Sequence, residues 1–247
     1  MEKQEQFKIL SALFWPLVFV SIMWGVWGMM EPEWTAFGIL PQHFSGLKGI
    51  LFSPFLHDPR DIHHILNNSL PFLFMGWALF YFYRSMAWKV LIGIWLLEGF
   101  WVWLSVSDVA YHIGASGILY GLAAFLFTSG VIRRQNNLMG LTLLIVFLYG
   151  GMIWGIFPYD VTISWQSHLF GSIAGIIFAY RFRKEGWQRT KYEWEDEPVV
   201  DDFSALRERH ENVISGKIPD PNLEEEKNDA PQITIHYEYS ENKKVRE

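Results

Sequence analysis

The chain has 247 residues, 51% hydrophobic and 17% aromatic, with 13 Trp, no Cys and a formal net charge of -6. Without cysteine it can build neither a disulfide scaffold nor a thiolate metal site, and no basic patch interleaved with aromatics offers a nucleic-acid surface. Charge is unevenly divided: Met1–Tyr192 carries 13 Lys and Arg against 10 Asp and Glu, whereas Glu193–Glu247 carries 7 against 16, so a body too apolar for one soluble core ends in an acidic tail.

The body reads as an all-α polytopic membrane protein. Six stretches are apolar and long enough to cross a hydrocarbon core of roughly 30 Å at about 1.5 Å per residue: Ile9–Met30, His64–Tyr83, Val90–Val106, Ser116–Ile132, Leu138–Phe157 and Trp165–Tyr180. The first is too long for a signal-peptide core and lacks a small-residue cleavage site, so it is expected to be retained. With six spans both termini share one side, together with the loops after spans two and four. That side holds Lys3, Lys8, Arg84, Lys89, Arg133, Arg134, Arg181, Arg183, Lys184, Arg189 and Lys191; the other holds only Lys48 and Arg60. Basic residues mark the cytoplasmic face, which puts both termini inside.

The loop Glu31–His63 is long and mixes polar residues with Phe37, Leu40, Phe44, Leu51 and Phe55. Two readings fit it, a segment lying in the membrane interface or a loop packed on its own helices. Beyond the spans, residues 1–182 form the expected membrane domain and 183–247 a cytoplasmic, largely disordered acidic tail. Within that tail Asp201–Asn212 has helical and Gln232–Tyr239 strand-like patterning.

Polar residues inside spans are costly and call for an explanation. Ser116 lies 17 residues before Arg133, His168 lies 13 before Arg181 and Asn68 lies 16 before Arg84. At helical rise they stand roughly 26, 20 and 24 Å above the basic anchors, with His64 at roughly 30 Å. Serine, histidine and amide thus share the outer half of the membrane. Ser116 in Gly114-Ala115-Ser116-Gly117 reads either as a helix N-cap or as a nucleophile beside free backbone N–H groups. His168 reads either as a histidine bonded to a neighbouring helix or as the base that activates the serine. Gly117 and Gly121 on the fourth span, and Gly171 and Gly175 on the sixth, have the small-xxx-small spacing of closely packed helices. His64 and Asn68 share a helix face as i and i+4, and both can donate to a developing oxyanion. His63 and Asn67 have the same spacing, and neither pair suits metal binding without further ligands. Tyr120 follows Ser116 by one helical turn. Glu98, in the middle of the third span, reads as a structural acid, with a proton-relay role as the alternative.

These residues resemble the motifs of the rhomboid intramembrane serine proteases. In that family His-x-x-x-Asn opens the second helix, Gly-x-Ser-Gly the fourth, and His-x-x-Gly-x-x-x-Gly lies in the sixth. Here they are matched by His64 and Asn68, by Gly114, Ser116 and Gly117, and by His168, Gly171 and Gly175, in the same order. The likeness covers residues 9–182 and selects His64 and Asn68 over His63 and Asn67. It implies a Ser116–His168 dyad without a catalytic carboxylate, an oxyanion held by the Ser116 N–H with His64 and Asn68, and Tyr120 stacked on His168. It implies no metal and no organic cofactor, and partners that are transmembrane protein substrates and lipids. Many members carry a Trp-Arg pair in the first outer loop; here Trp34 and Arg60 stand apart. A non-proteolytic client-binding relative is the alternative function, although such relatives typically lack the serine or the histidine. A small transporter using Glu98 lacks a paired inverted repeat. The positive-inside pattern without an organellar presequence points to a bacterial cytoplasmic membrane.

Overall fold

In the computed structural model, residues 2–107, 110–159, 163–188 and 203–217 are described. The principal helices are α1 (Glu2–Met29), α3 (Ile62–Phe82), α4 (Ala87–Ser105), α5 (Ser116–Arg133), α6 (Asn136–Tyr149) and α7 (Trp165–Arg181), with a one-turn α2 (Gly49–Phe52) between α1 and α3. Among the described residues five helices are long and apolar enough to cross a membrane: Lys3–Met29, Ile62–Phe82, Ala87–Ser105, Ser116–Arg133 and Asn136–Ile156. The sixth, α7, has 17 residues and so extends only about 26 Å. The expected stretch Leu138–Phe157 is a composite: the α-helix tightens into a 3-10 helix over Gly150–Ile156. Adjacent glycines at 150 and 151 are weak helix formers, and Pro158 ends the run.

The chain divides into two compact units, Met1–Lys191 and Tyr192–Glu247. In the second, α8 (Ser204–Ile214) overlaps the helical patterning expected over Asp201–Asn212. The stretch Gln232–Tyr239 lies outside the described residues.

Buried Met23, Phe72, Met75, Leu79, Ile94, Ile118, Leu122 and Phe125 form one continuous core between the spans. The tightest pairing is α5 against α7, and glycine makes it possible. A Cβ on Gly171 would collide with the Gly117 carbonyl, and one on Gly175 with the Gly121 carbonyl. Bare backbone on both helices lets the axes approach, and close packing is the main force available between helices in lipid. Both helices begin at the same end of the bundle, because Ser116 meets His168 near their starts and Arg133 meets Phe182 near their ends.

That second contact is a clasp. The Arg133 side chain is 4% exposed. Its guanidinium donates to the carbonyls of Phe182 (2.7 Å), Trp187 (3.3 Å) and Glu185, and its Nε–H donates to the Ser129 hydroxyl at 2.8 Å. A cation set against the carbonyls just after α7 also complements the negative end of that helix.

At the opposite end the loop after α1 is folded as short helical turns over Pro32–Phe37, Phe44–Gly46, α2 and Ser53–Phe55. Indole N–H groups pin it. Trp95 donates to the Ile50 carbonyl (2.6 Å), Trp103 to that of His43 (2.9 Å) and Trp27 to that of Asp58 (3.1 Å). Ile39 and Leu56 are buried while Phe44, Leu51 and Phe52 stay exposed. The loop is therefore packed on its helices, as one of the two readings expects, and also presents an apolar edge. Ile39 and His112 exchange backbone hydrogen bonds of 2.9 and 2.8 Å, tying the loop to the segment that leads into α5.

Candidate active site

Ser116 is the first residue of α5, one position inside the helix; the N-cap is Ala115. Its hydroxyl is therefore not spent on capping. Instead, Ser116 Oγ lies 2.8 Å from His168 Nε2. The preceding turn explains how it is presented. Gly114 has φ +106°, where L side chains are strained, and a Cβ there would sit 2.8 Å from His64 Nε2. Its N–H is anchored to the Ser53 carbonyl at 2.9 Å. The first N–H groups of α5, that of Ser116 included, have no partner within the helix.

The His168 side chain is buried one turn into α7, and both ring nitrogens are engaged. Nδ1 is 2.9 Å from the Gly155 carbonyl. A carbonyl only accepts, so the neutral ring carries its hydrogen on Nδ1, leaving the Nε2 lone pair for the Ser116 hydroxyl proton. Tyr120 lies flat against the imidazole, with centroids 4.0 Å apart and planes within 5°.

His64 and Asn68 flank the same space on α3, whose start is fixed by Asp61 accepting from the His63 N–H at 2.9 Å. The Asn68 amide donates to the His64 carbonyl at 2.7 Å, and its second N–H remains available. Serine, histidine, His64, Asn68 and Tyr120 line one cavity of about 970 Å³, together with Met152 from the 3-10 turn. Asn67 lines it as well, so proximity alone does not separate Asn67 from Asn68. Gly117, Gly171 and Gly175 lie in the α5–α7 seam below, where they set the spacing of the helices that carry the pair.

Glu98 is 3% exposed and accepts a hydrogen bond from the Ser167 hydroxyl at 3.2 Å. Its carboxyl presses on Gly117, whose Cβ would collide with it. It thus wedges between the neighbours of Ser116 and His168 without touching either.

Sequence reasoning missed three contributors. Gly155 acts through a backbone atom and belongs to no motif; its one signal was the Gly-x-x-Pro run to Pro158. His57 is fully buried against His64, ring centroids 4.8 Å apart, and only its place seven residues before His64 hinted at it. His112, whose Nδ1 lies 2.6 Å from the Ser164 hydroxyl, joins the segments leading into α5 and α7. Among the described residues no three His, Asp or Glu side chains converge on a metal-sized site.

A helical membrane bundle with a half-buried hydroxyl–imidazole pair at the head of two glycine-packed helices defines a class of polytopic membrane proteins. Residues 45–185 match the Rhomboid domain, more than half of the chain, and the chain belongs to the rhomboid family. It is 36% identical over 152 residues to uncharacterized proteins of Mycobacterium tuberculosis and Mycobacterium bovis, covering 58% of this chain and 62% of theirs. An uncharacterized protein of Mycobacterium leprae is 34% identical over 143 residues, or 54% of this chain and 55% of its own length. The chain thus matches less than two thirds of the length of these curated relatives.

Proposed function

We propose that the protein is an intramembrane serine endopeptidase that cleaves transmembrane-anchored protein substrates with a Ser116–His168 dyad. The observation that carries this reading is the 2.8 Å contact between Ser116 Oγ and His168 Nε2, with the proton of the ring assigned to Nδ1 by its carbonyl partner. Ser116 Oγ attacks the scissile carbonyl carbon while its proton passes to Nε2. The carbonyl oxygen takes the negative charge, held by the Ser116 N–H and by donors on His64 and Asn68. As the C–N bond breaks, the imidazolium gives that proton to the leaving amine. A water then loses a proton to Nε2 as its oxygen attacks the acyl-enzyme, and the proton returns to Oγ as the ester bond breaks. Tyr120 holds the ring plane throughout.

Lys and Arg bias supports placing both termini in the cytoplasm, with 1–182 as the membrane domain and 183–247 as a cytoplasmic tail; the mycobacterial relatives are in keeping with a bacterial cytoplasmic membrane. The test is proteolysis of a model transmembrane substrate by the purified protein in phospholipid vesicles. Ser116→Ala and His168→Ala should each abolish cleavage while leaving an inserted, folded protein, and the double variant should be little worse than either. Substantial cleavage by folded Ser116→Ala would remove the assignment.

A further inference from the structure

The acceptor that holds His168 Nδ1 is a main-chain carbonyl, and the local sequence explains why it is free. In a 3-10 or α turn the carbonyl of residue i is taken by the N–H of i+3 or i+4. For Gly155 the i+3 residue is Pro158, which has no N–H. The i+4 N–H, that of Tyr159, donates instead to the Phe157 carbonyl at 2.9 Å. The Gly155 oxygen therefore has no helical donor and accepts from the imidazole. The missing side chain matters too. A Cβ at 155 would strike the Tyr120 hydroxyl and sit 3.1 Å from His168 Nδ1, so only glycine lets both stacked rings stand against this backbone.

We propose that Gly155 and Pro158 are the positioning element of the dyad, with the Gly155 carbonyl in the part that a carboxylate plays in Ser-His-Asp triads. This rests on the reading of Ser116 and His168 as the reacting pair. The carbonyl fixes the Nδ1–H tautomer and the ring orientation; it touches no reacting atom. Free imidazole in water favours the Nε2–H tautomer, and in that form the nitrogen facing Ser116 cannot take its proton. The carbonyl also belongs to the least buried of the five long, apolar helices. Only 17% of the Asn136–Ile156 window is buried by protein, against 28% to 56% in the other four. His168 is held on α7 by close glycine packing, whereas its lock sits on an element that the rest of the chain leaves mostly uncovered. Displacing the Gly150–Ile156 turn would withdraw the acceptor and disarm the base, so the dyad is competent only while that turn is seated.

The experiment uses the full chain in phospholipid vesicles and compares Gly155→Ala, Pro158→Ala and Gly151→Ala. A methyl group added at Gly151 would meet nothing within 4 Å, so its alanine variant controls for helix propensity on the same turn. Two quantities are read. One is kcat and KM for a model transmembrane substrate. The other is the His168 tautomer from nitrogen-15 shifts of histidine-labelled protein, assigned by difference with His168→Gln. Wild type and Gly151→Ala should show Nδ1–H. Pro158→Ala, which supplies an N–H to compete for the carbonyl, and Gly155→Ala, which pushes the rings away, should move toward Nε2–H. Both should lower kcat about 10-fold with KM unchanged, the scale of one net hydrogen bond. A wild-type Nε2–H tautomer, or folded Pro158→Ala with wild-type tautomer and kcat, would overturn the proposal. A tautomer that responds as expected in a wild type that cleaves nothing would sink the protease reading and leave the positioning role standing.

Discussion

His57 offers a test that does not depend on proteolysis. It lies in the turn between Ser53–Phe55 and α3, is 0% exposed, and packs edge-on against His64 at 61° between ring planes. Neither of its ring nitrogens has a hydrogen-bond partner among the described residues. An imidazolium in that position would lose its hydration, so burial, with His64 adding in the same direction and only the nearby Phe55 backbone opposing, lowers the His57 pKa from 6.5 to about 3. The unfolded chain therefore binds a proton near pH 6.5 that the folded chain refuses until about pH 3. The stabilisation from a neutral His57 is complete above the upper value. It is lost as pH falls through the window, at about 1.4 kcal/mol per pH unit. Between pH 6 and pH 4.5 this amounts to about 2 kcal/mol, a large share of a typical folding free energy. His57→Phe keeps a planar ring and removes both unpaired nitrogens, so it should cost little at neutral pH. Unfolding free energies of both proteins in micelles, measured from pH 7.5 to 4.5, should differ by a constant above the window and then diverge in favour of the variant at about 1.4 kcal/mol per unit. Parallel curves down to pH 4.5 would show that His57 protonates without cost, and the burial argument would fail.

Asn68→Ala should lower the cleavage rate by about 10- to 1,000-fold, the scale of one oxyanion donor, and Asn67→Ala far less; the reverse order in steady-state assays would mean that the assigned helix face is wrong. Gly171→Leu places a side chain where even a Cβ collides with the Gly117 carbonyl. It should part α5 from α7 and remove cleavage in an inserted protein, while Gly28→Leu, on an open face, should not. Retained activity in Gly171→Leu would show that the seam can open without separating the pair. Arg133→Met keeps the aliphatic stem but not the bonds to the carbonyls after α7, and should cost about 3 kcal/mol by thermal unfolding with little change in kcat. An unchanged melting temperature would show that those carbonyls find other donors.

The spans were legible because a membrane imposes a length and a polarity that hydropathy reports directly. That Ser116 and His168 stand at a common level was legible for a related reason: basic residues supplied a shared baseline for counting helical rise, and the two side chains meet. The seam between their helices could be read from glycine spacing, since a missing Cβ is itself a sequence feature. Where the deciding atom is in the backbone, the sequence is nearly silent. The Gly155 carbonyl has no residue type to mark it, and the 3-10 tightening at Gly150 that aims it is a small departure inside an apolar run. Arg133 shows a different limit of the sequence. It counts as one of the basic residues that mark a face, and the fold also uses it as a buried internal donor; charge counting does not distinguish an exposed arginine from a buried one.

The choice of a carbonyl rather than a carboxylate beside His168 follows from where the site lies. An ionised acid in an apolar surrounding must be paired and fully hydrogen-bonded, or its desolvation outweighs what it contributes. A peptide carbonyl is neutral and already part of the chain, and its cost when buried disappears once a single donor reaches it. Pro158 keeps that oxygen from a helical partner, so the imidazole completes it and is oriented in return. Glu98 is the one buried carboxylate among the described residues, and the fold holds it away from the ring, occupied by the Ser167 hydroxyl. A carboxylate facing Nδ1 would strengthen the base but its charge would also have to be buried at the head of α7; the carbonyl gives the same tautomer without that burden. On the proposed reading, a dyad with a main-chain third member is the form of serine chemistry that an apolar site holds at the least electrostatic cost.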